Sequence, residues 1–205
     1  MARQKQKLEQ PSKFKAGAEL KARVVEAASQ LFAEEGYENV SVRHIAELAG
    51  CSQMAMYRHF PDKASLITHV CVELYVSQTT RVNQKLGHIA SPMARLIEAG
   101  RQSIEMAVKN PHHYRLAFLR PMPDAESRKI RTEVAKPAID FFRQNLREIL
   151  SKPVQPEVLE EKLRQCFASL HGAILLLITY PHNYGVTRQS AIRDFEAMLH
   201  RITGC

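Results

Sequence analysis

The spacing of apolar residues constrains the fold of this chain more than any other feature of its sequence. Apolar side chains recur every three to four positions along almost the whole length, and no segment shows the strict alternation that is typical of a half-buried strand. In the first such segment, Val24, Ala28 and Phe32 fall on one helical face, and Gly36 follows as a stop signal. The spacing therefore predicts an all-α fold.

Start and stop signals divide the chain into about nine helices. Ser, Asp, Asn and Thr side chains accept hydrogen bonds from free N–H groups at a helix start, proline fits the first turn, and glycine ends a helix. By these signals we expect helices over residues 19–35, 41–50, 52–60, 63–86, 91–110, 111–119, 124–150, 156–179 and 187–202.

Positive charge is concentrated at the start of the chain. The formal net charge is +8, and residues 1–23 hold seven Lys and Arg residues against two Glu residues. Residues 1–18 have little apolar content and contain Pro11 and Gly17, so we expect a basic, disordered arm. The remainder, in a chain of 45% hydrophobic residues, is long enough to bury a substantial core.

Targeting and cysteine patterns point to a reducing, aqueous compartment. No apolar run has the length of a membrane span or follows the first cations as a signal peptide would; the best candidate, residues 173–178, is too short. The cysteines Cys51, Cys71, Cys166 and Cys205 lie far apart without a Cys-x-x-Cys pair, which predicts neither a zinc knuckle nor a disulfide framework. We expect a cytoplasmic protein that does not enter a membrane.

Patterns that are typical of enzymes and metal sites are missing from the sequence. There is no carboxylate–His metal spacing, phosphate-binding glycine loop or nucleophile motif. The adjacent His112 and His113 would point to different faces of a helix and make a poor metal pair. We therefore expect no metal, no cofactor and no enzymatic activity.

The most informative stretch is residues 41–60, where two very short helices are predicted to meet at a tight turn. Gly50 can adopt the left-handed conformation that stops the first helix, and Cys51 supplies a small apolar plug at the corner. In the second helix, Met56 and Phe60 lie four apart and point inward. Gln53, Met54, Tyr57 and Arg58 are left outside, on a helix about 14 Å long that fits a DNA major groove.

These residues resemble the DNA-binding domain of the tetracycline-repressor (TetR) family. The resemblance covers residues 22–66 and is specific because several motifs occur together. They are Phe32-x-x-x-Gly36-Tyr37, Val40-Ser41-Val42-x-x-Ile45-Ala46, Gly50-x-Ser52 and Met56-Tyr57-x-His59-Phe60-x-x-Lys63-x-x-Leu66.

The resemblance implies a three-helix DNA-binding domain at residues 19–66 and a role for each matching position. Ser41 would hold a phosphate and Arg43 would reach towards a base. Gln53 is the best base reader, because its amide bonds bidentately with adenine or more loosely with guanine. Met54 and Ala55 both offer apolar contact to a thymine methyl group, and the sequence does not choose between them. The positions expected at the DNA are Ser41, Arg43, Ser52, Gln53, Met54, Ala55, Tyr57, His59 and Lys63, with Tyr57, His59 and Lys63 on the phosphate backbone.

Several of these positions also have a plainer interpretation. Met54 is an ordinary exposed hydrophobic residue in one alternative, Tyr57 packs its ring on the first helix in another, and His59 caps a neighbouring helix end in a third. The basic arm either follows the minor groove beside the operator or only improves solubility. The joint spacing of the stretch is what favours DNA contact.

Residues 67–205 are expected to form a ligand-binding and dimerisation domain. Residues 110–118 together with residues 170–174 are similar to one subgroup of the family's sensing domains, although that subgroup often has Trp near the His-Gly pair and this chain has no Trp. A ligand cavity would lie among the helices of residues 63–150. The side chains available for it are Met93, Leu96, Ile97, Met106, Tyr114, Phe118, Phe141 and Phe142.

The last two helices carry an apolar surface that suits a homodimer. Gly172 and Ala173 permit the close approach of another helix, and a four-helix interface across a two-fold axis would match a palindromic DNA site. An intrachain core is the alternative for the same residues. The expected interface residues are Leu170, Gly172, Ala173, Ile174, Leu177, Ile178, Phe195, Met198, Leu199 and Ile202.

Three functions compete on this sequence. The favoured one is a homodimeric repressor that leaves a palindromic operator on double-stranded DNA when a small-molecule effector moves the fourth helix. The second is a DNA-binding regulator that is constitutive or controlled by a protein partner. The third, a helical-bundle enzyme, lacks any supporting motif.

Overall fold

The computed structural model describes residues 13–121, 124–150, 154–180 and 182–204, and leaves the side chains of residues 13–16, 78–79 and 81–85 undescribed. The described residues form nine α-helices and one π-helical turn and contain no strand, which confirms the all-α fold. None of the described helices is long and apolar enough to cross a membrane. The chain divides into two compact units, residues 1–70 and residues 71–205.

The first unit contains helices α1 (Lys13–Glu35), α2 (Val42–Leu48) and α3 (Gln53–Tyr57), and the start of α4 (Lys63–Leu86). Its core is built from the inward faces of these helices, as the sequence pattern predicted. The largest fully buried side chains there are Phe32, Ile45, Met56, Phe60, Leu66 and Ile67.

Helix α1 begins at Lys13, six residues before its predicted start. Residues 13–18, which the sequence analysis placed in a disordered arm, are therefore helical, because Lys and Ala are good helix formers and one Gly costs only about 1 kcal/mol. A Cβ at Gly17 would meet His59 at an ordinary 3.7 Å, so no close contact requires glycine there. Residues 1–12, the rest of the predicted arm, lie outside the described residues.

Helix α3 has five residues where the sequence predicted nine. The N–H groups of His59 and Phe60 both donate to the Met56 carbonyl, which tightens the last turn. Pro61 follows directly, and a proline disfavours helical geometry in the residue before it. Helix α3 is therefore only about 8 Å long, and His59 and Phe60 lie beyond its end.

The second unit continues with α5 (Pro92–Lys109), α6 (Pro111–Tyr114), the π turn (Arg115–Leu119), α7 (Ala125–Leu150), α8 (Pro156–Thr179) and α9 (Arg188–Thr203). Predicted caps explain several of these starts. The Ser91 hydroxyl accepts from Ala94 N–H, and Thr187 and Ser190 form a reciprocal capping box. Gly204 ends α9 in the left-handed conformation, at φ 76°.

Helices α5 and α9 approach each other closely at Gly100. A Cβ added there would lie 3.0 Å from the Cζ of Phe195 and closer still to two other carbons of that ring. Phe195 is itself buried. The close approach therefore requires a residue without a side chain at position 100.

Candidate functional site

The corner between α2 and α3 is fixed by local hydrogen bonds. The Cys51 N–H donates to the Ala46 carbonyl at 2.9 Å, and Gly50 adopts φ 66°. The side chains of Ile45 and Met56 are fully buried beneath the corner. This geometry agrees with the helix-turn-helix that the residue pattern predicted, and it presents α3 on the surface.

The outward side of α3 carries the side chains that were predicted to read DNA. Gln53 is exposed, Met54 is 72% exposed and Tyr57 is 45% exposed, whereas Ala55 is half-buried. Arg58 is exposed as well. The exposure of Tyr57 does not favour the alternative in which its ring packs on α1. The exposed surface of α3 thus carries an amide, a thioether and a phenol.

The two serines that precede these helices act as N-caps. Ser41 Oγ accepts from His44 N–H, and Ser52 Oγ accepts from Ala55 N–H, each at 3.1 Å. A hydroxyl that accepts in this way still has its own hydrogen to donate. Both exposed serines can therefore donate to a phosphate without giving up their caps.

Arg43 is held near the same surface by Glu47. Its Nε donates to Glu47 Oε1 at 2.9 Å, and both side chains are well exposed, at 77% and 61%. The hydrogen bond to Glu47 raises the pKa of Arg43 above its ordinary value. Because an exposed pair of this kind contributes little to stability, the guanidinium can exchange Glu47 for a phosphate or a base.

Two of the predicted phosphate contacts lie in more enclosed positions. Lys63 Nζ donates to the Tyr37 carbonyl and lies 6.0 Å from the centroid of the Phe32 ring. The His59 ring is half-buried near Gly17. In the free protein these two residues contribute to packing within the first unit, and Lys63 ties the loop after α1 to the start of α4.

The second unit contains a small chamber where residues 110–118 meet residues 170–174. These are the two stretches that resemble one subgroup of the family's sensing domains. Tyr114 of the first stretch and His171 of the second are joined by a hydrogen bond between the phenol oxygen and Nδ1. The Phe118 ring stacks on Tyr114 at 4.7 Å between centroids and lies 5.2 Å from the His171 ring. The chamber has a volume of about 80 Å³, and its lining is largely aromatic: Tyr75, Ala99, Ser103, Met106, Tyr114, Phe118, Ala138, Phe141, Phe142, Phe167, Leu170, His171 and Ile174.

The sequence analysis found only part of this lining. Of the residues predicted for a ligand cavity, those that line the chamber are Met106, Tyr114, Phe118, Phe141 and Phe142. Met93, Leu96 and Ile97 are not among its lining residues, because they lie near the start of α5, where they belong to or pack against the hydrophobic core.

The residues that the sequence analysis missed include Tyr75, Ser103, Phe167 and His171. His171 stood in the quoted His-Gly stretch, so a signal for it existed. No signal identified Phe167, one helical turn before it, or Tyr75 on α4 as a lining residue. The Tyr75 hydroxyl donates a long hydrogen bond, at 3.4 Å, to the Ala117 carbonyl in the π turn.

The polar groups of the chamber are uncharged near neutral pH. Burial lowers the pKa of His171 and raises the pKa of Tyr75 to about 12. Burial raises the pKa of Tyr114 as well. A neutral His171 has a lone pair on one ring nitrogen, so the Tyr114 hydroxyl can donate to it.

A wider cleft of about 370 Å³ adjoins the chamber and shares Tyr75, Phe118 and His171 with it. Its other lining residues include Arg131, Thr132 and Ile139 of α7. One N–H of Arg131 donates to the Arg120 carbonyl at 3.1 Å. The cleft is therefore more polar than the chamber behind it.

The structure corrects half of the residues that were predicted for a dimer interface. Leu170 and Ile174 on α8, and Phe195, Leu199 and Ile202 on α9, are buried inside the second unit. They face the intrachain core because α8 is apolar on more than one side, and the spacing alone does not say which side faces a partner. Ala173, Leu177 and Ile178 also pack against that core from partly buried positions.

Two of the predicted interface residues lie on the outward faces of these helices. Met198 is exposed on α9. A Cβ at Gly172 would meet nothing within 4 Å, so this position on α8 opens to space within the described protomer. Ala168, one turn earlier on α8, is exposed too.

Comparison with protein families identifies both units. Residues 24–70 match the family described as bacterial regulatory proteins of the tetR family. Residues 96–202, more than half of the chain, match the tetracyclin repressor-like C-terminal domain.

Curated relatives match mainly over a limited segment. An uncharacterised HTH-type transcriptional regulator of Mycobacterium tuberculosis is 29% identical over 94 residues, which are 43% of this chain and 44% of the relative. An HTH-type transcriptional regulator of Staphylococcus aureus is 44% identical over 52 residues, 25% of this chain and 28% of the relative. The matches thus span less than half of these relatives.

Solved structures resemble the chain over nearly its full length. The regulator FadR from Bacillus subtilis, in complex with stearoyl-CoA, aligns with a TM-score of 0.71 at 16% identity, covering 87% of this chain and 97% of FadR. A choline complex of a Saccharomonospora viridis regulator has a TM-score of 0.75 at 17% identity, covering 89% and 96%. RolR with resorcinol has a TM-score of 0.66 at 17% identity, covering 94% and 95%. At these identities the likeness shows a shared fold.

Proposed function

Because the chain belongs to the tetR family of bacterial transcriptional regulators, we propose that it is a repressor that binds a palindromic operator as a homodimer and is released by a small-molecule effector. Members of this family are regulators and not enzymes. The observation that carries the proposal is the exposed α3 surface above a buried helix-turn-helix corner, on a chain whose second unit contains an aromatic chamber beside a wider cleft.

We assign each side chain a contact with a base or with a phosphate from its exposure and its chemistry. Gln53 reads a base edge, because its exposed amide carries both a donor and an acceptor. Met54 is more exposed than Ala55 and is the side chain proposed to contact a thymine methyl group. Ser41 and Ser52, with Arg43, Tyr57 and His59, position the unit on the phosphates. Lys63 contributes chiefly by holding the start of α4.

We expect the change Gln53→Ala to relax base preference at one symmetric pair of operator positions. A good bidentate contact contributes about 1–3 kcal/mol of discrimination against the wrong base, so preference at that pair should fall roughly tenfold or more. Selection of bound sequences from random duplex DNA, with wild type and variant in parallel, measures this.

Gln30→Ala is the matched control, because Gln30 is an exposed glutamine of α1 whose amide donates to Glu34. It should leave the selected consensus unchanged. If Gln53→Ala kept the full base preference, Gln53 would not be a residue that contacts bases. A wild-type consensus without a palindrome would argue against binding as a homodimer.

The proposed dimer forms through the outward faces of α8 and α9. Ala168 and Gly172 are small, lie one turn apart on α8, and let a second helix approach closely. Met198 supplies an exposed apolar side chain on α9. Two such faces related by a two-fold axis give a four-helix interface, which places two reading units on a two-fold symmetric DNA site.

Gly172→Arg tests this interface, because a long charged side chain would occupy the space that the partner helix needs. We expect the variant to be a folded monomer with operator affinity at least tenfold below that of the wild type. Light scattering after size-exclusion chromatography reports the mass. Gln144→Arg, at an exposed position of α7, is the control and should remain dimeric. A dimeric Gly172→Arg protein would contradict the proposed face.

Effector control is supported by the chamber and by the ligands in the fold neighbours named above. Helix α4 begins in the first unit and carries Tyr75 of the chamber lining, so a ligand that moves Tyr75 acts directly on the helix that Lys63 anchors. The proposed mechanism is that an occupied chamber favours a position of α4 in which the two reading units no longer match their half-sites.

A further inference from the structure

The chamber and the adjoining cleft together define a two-part binding site. Three contiguous rings, Tyr75, Phe118 and His171, belong to the lining of both. Phe118 is the middle ring, 4.8 Å from Tyr75 and 5.2 Å from His171 between centroids. It is half-buried and belongs to the lining of both spaces, so a ligand that spans them would have to displace its ring.

The two parts differ sharply in chemistry. Six aromatic rings besides His171 line the chamber, and no charged side chain is among its described lining residues. Of the described residues that line the cleft, Arg131 is the one with a permanent charge. A guanidinium has five N–H donors in a planar fork, and the described contacts of Arg131 use one of them, on the Arg120 carbonyl.

From this arrangement we propose that the effector is a small aromatic carboxylate, with its single ring in the chamber and its carboxylate on Arg131 in the cleft. The proposal rests on the proposed function, since it names the ligand class of the same sensing site. Aromatic walls favour a planar ring through stacked and edge-to-face contacts. Arginine matches a carboxylate bidentately, through two parallel N–H···O bonds.

The dimensions set the size of the ligand. An apolar cavity of ~150 Å³ holds a benzene ring, whereas the chamber provides about 80 Å³. One ring therefore enters only when Phe118 turns aside and joins the chamber to the cleft of about 370 Å³. A cationic ligand is disfavoured as well, because it would face Arg131 with no carboxylate among the described lining residues to receive it.

Three probes with the same ring and different charge test the ligand class. They are phenylacetate, its neutral amide phenylacetamide, and the cation 2-phenylethylammonium, each titrated into the full-length protein by calorimetry. We expect phenylacetate to bind at least tenfold more tightly than the amide and the cation to bind most weakly, since a charge-assisted hydrogen bond contributes more than a neutral one. Equal affinity for acid and amide, tightest binding of the cation, or no saturable binding of phenylacetate would overturn the proposal.

Arg131→Gln tests the proposed anchor. We expect this variant to lose the preference for acid over amide, with phenylacetate affinity reduced about tenfold or more and phenylacetamide affinity unchanged. Arg128→Gln, an exposed cation one turn earlier on α7, is the control and should bind both probes like the wild type. An unaltered preference in Arg131→Gln, or an equal loss in Arg128→Gln, would overturn the role of Arg131.

Release of DNA is measured separately, on the selected operator in the presence of each probe. Phenylacetate that binds through Arg131 without weakening the DNA complex would support the ligand class and contradict the effector-released repressor. Release by the amide or the cation, with phenylacetate inactive, would support effector control and overturn the ligand class.

Discussion

Gly100→Ala should destabilise the second unit by about 3 kcal/mol. The new methyl group would overlap the buried Phe195 ring, and neither α5 nor that ring can shift without opening the core around it. Overpacking of a dense core typically costs about 1–3 kcal/mol, and a direct overlap with an immobile ring lies at the upper end. Urea denaturation followed by circular dichroism measures the change in the free energy of unfolding.

The same exchange at Gly17 separates this packing effect from helix propensity. Gly17 is also inside a helix, and its new methyl group would meet His59 at an ordinary 3.7 Å. Gly17→Ala should therefore be neutral or stabilise α1 by up to about 1 kcal/mol, because alanine is the better helix former. If Gly100→Ala were as stable as Gly17→Ala, the close contact between α5 and α9 would be wrong.

Phe60→Ala should destabilise the first unit by about 3–5 kcal/mol and reduce operator binding accordingly. Phe60 is fully buried directly after α3, its ring lies edge-on to His69 at 5.1 Å, and the Lys21 ammonium lies 5.8 Å from its centroid. Removing a buried aromatic ring leaves a cavity that the surrounding helices fill only in part. Because the stability of a whole domain is about 5–15 kcal/mol, this loss leaves much of the unit unfolded at raised temperature.

Leu48→Ala is the matched control for Phe60→Ala. Leu48 is a large apolar residue of the same unit, but 46% of it is exposed, so its truncation should change stability by less than about 1 kcal/mol. Thermal unfolding and operator titration of both variants give the comparison. A Phe60→Ala protein that unfolds at the wild-type temperature would show that Phe60 does not support α3.

Local signals in the sequence were sufficient to predict the helices and the buried residues beneath the corner between α2 and α3. Capping chemistry is decided within four residues, so Ser91 and Thr187 marked helix starts correctly. The four-residue spacing of Met56 and Phe60 identified two fully buried side chains. The length of α3 was overestimated because the effect of Pro61 reaches back along the chain.

The lining of the chamber and the outward faces of α8 and α9 depend on contacts that no local pattern encodes. Tyr114 and His171 are 57 positions apart in the sequence, and their hydrogen bond exists only because α6 and α8 meet in the fold. An unfilled volume is set by all of its walls together, so the aromatic residues in the sequence do not show which of them surround it. On α8, apolar residues lie on more than one side, and the buried positions of Leu170 and Ile174 emerge only from packing.

The π turn after α6 also has a consequence for how the length of this chain can vary. Its closing bond runs from the Arg120 N–H to the Arg115 carbonyl, five residues apart, so the turn holds one residue more than an α-helical turn. Loss of one residue there would restore ordinary α-helical geometry and rotate the later side chains of the turn by about 100° relative to those before it. Phe118 would then leave the position between the chamber and the cleft. A substitution in this turn changes one side chain of the chamber wall, whereas a single-residue deletion would change the positions of several wall residues at once.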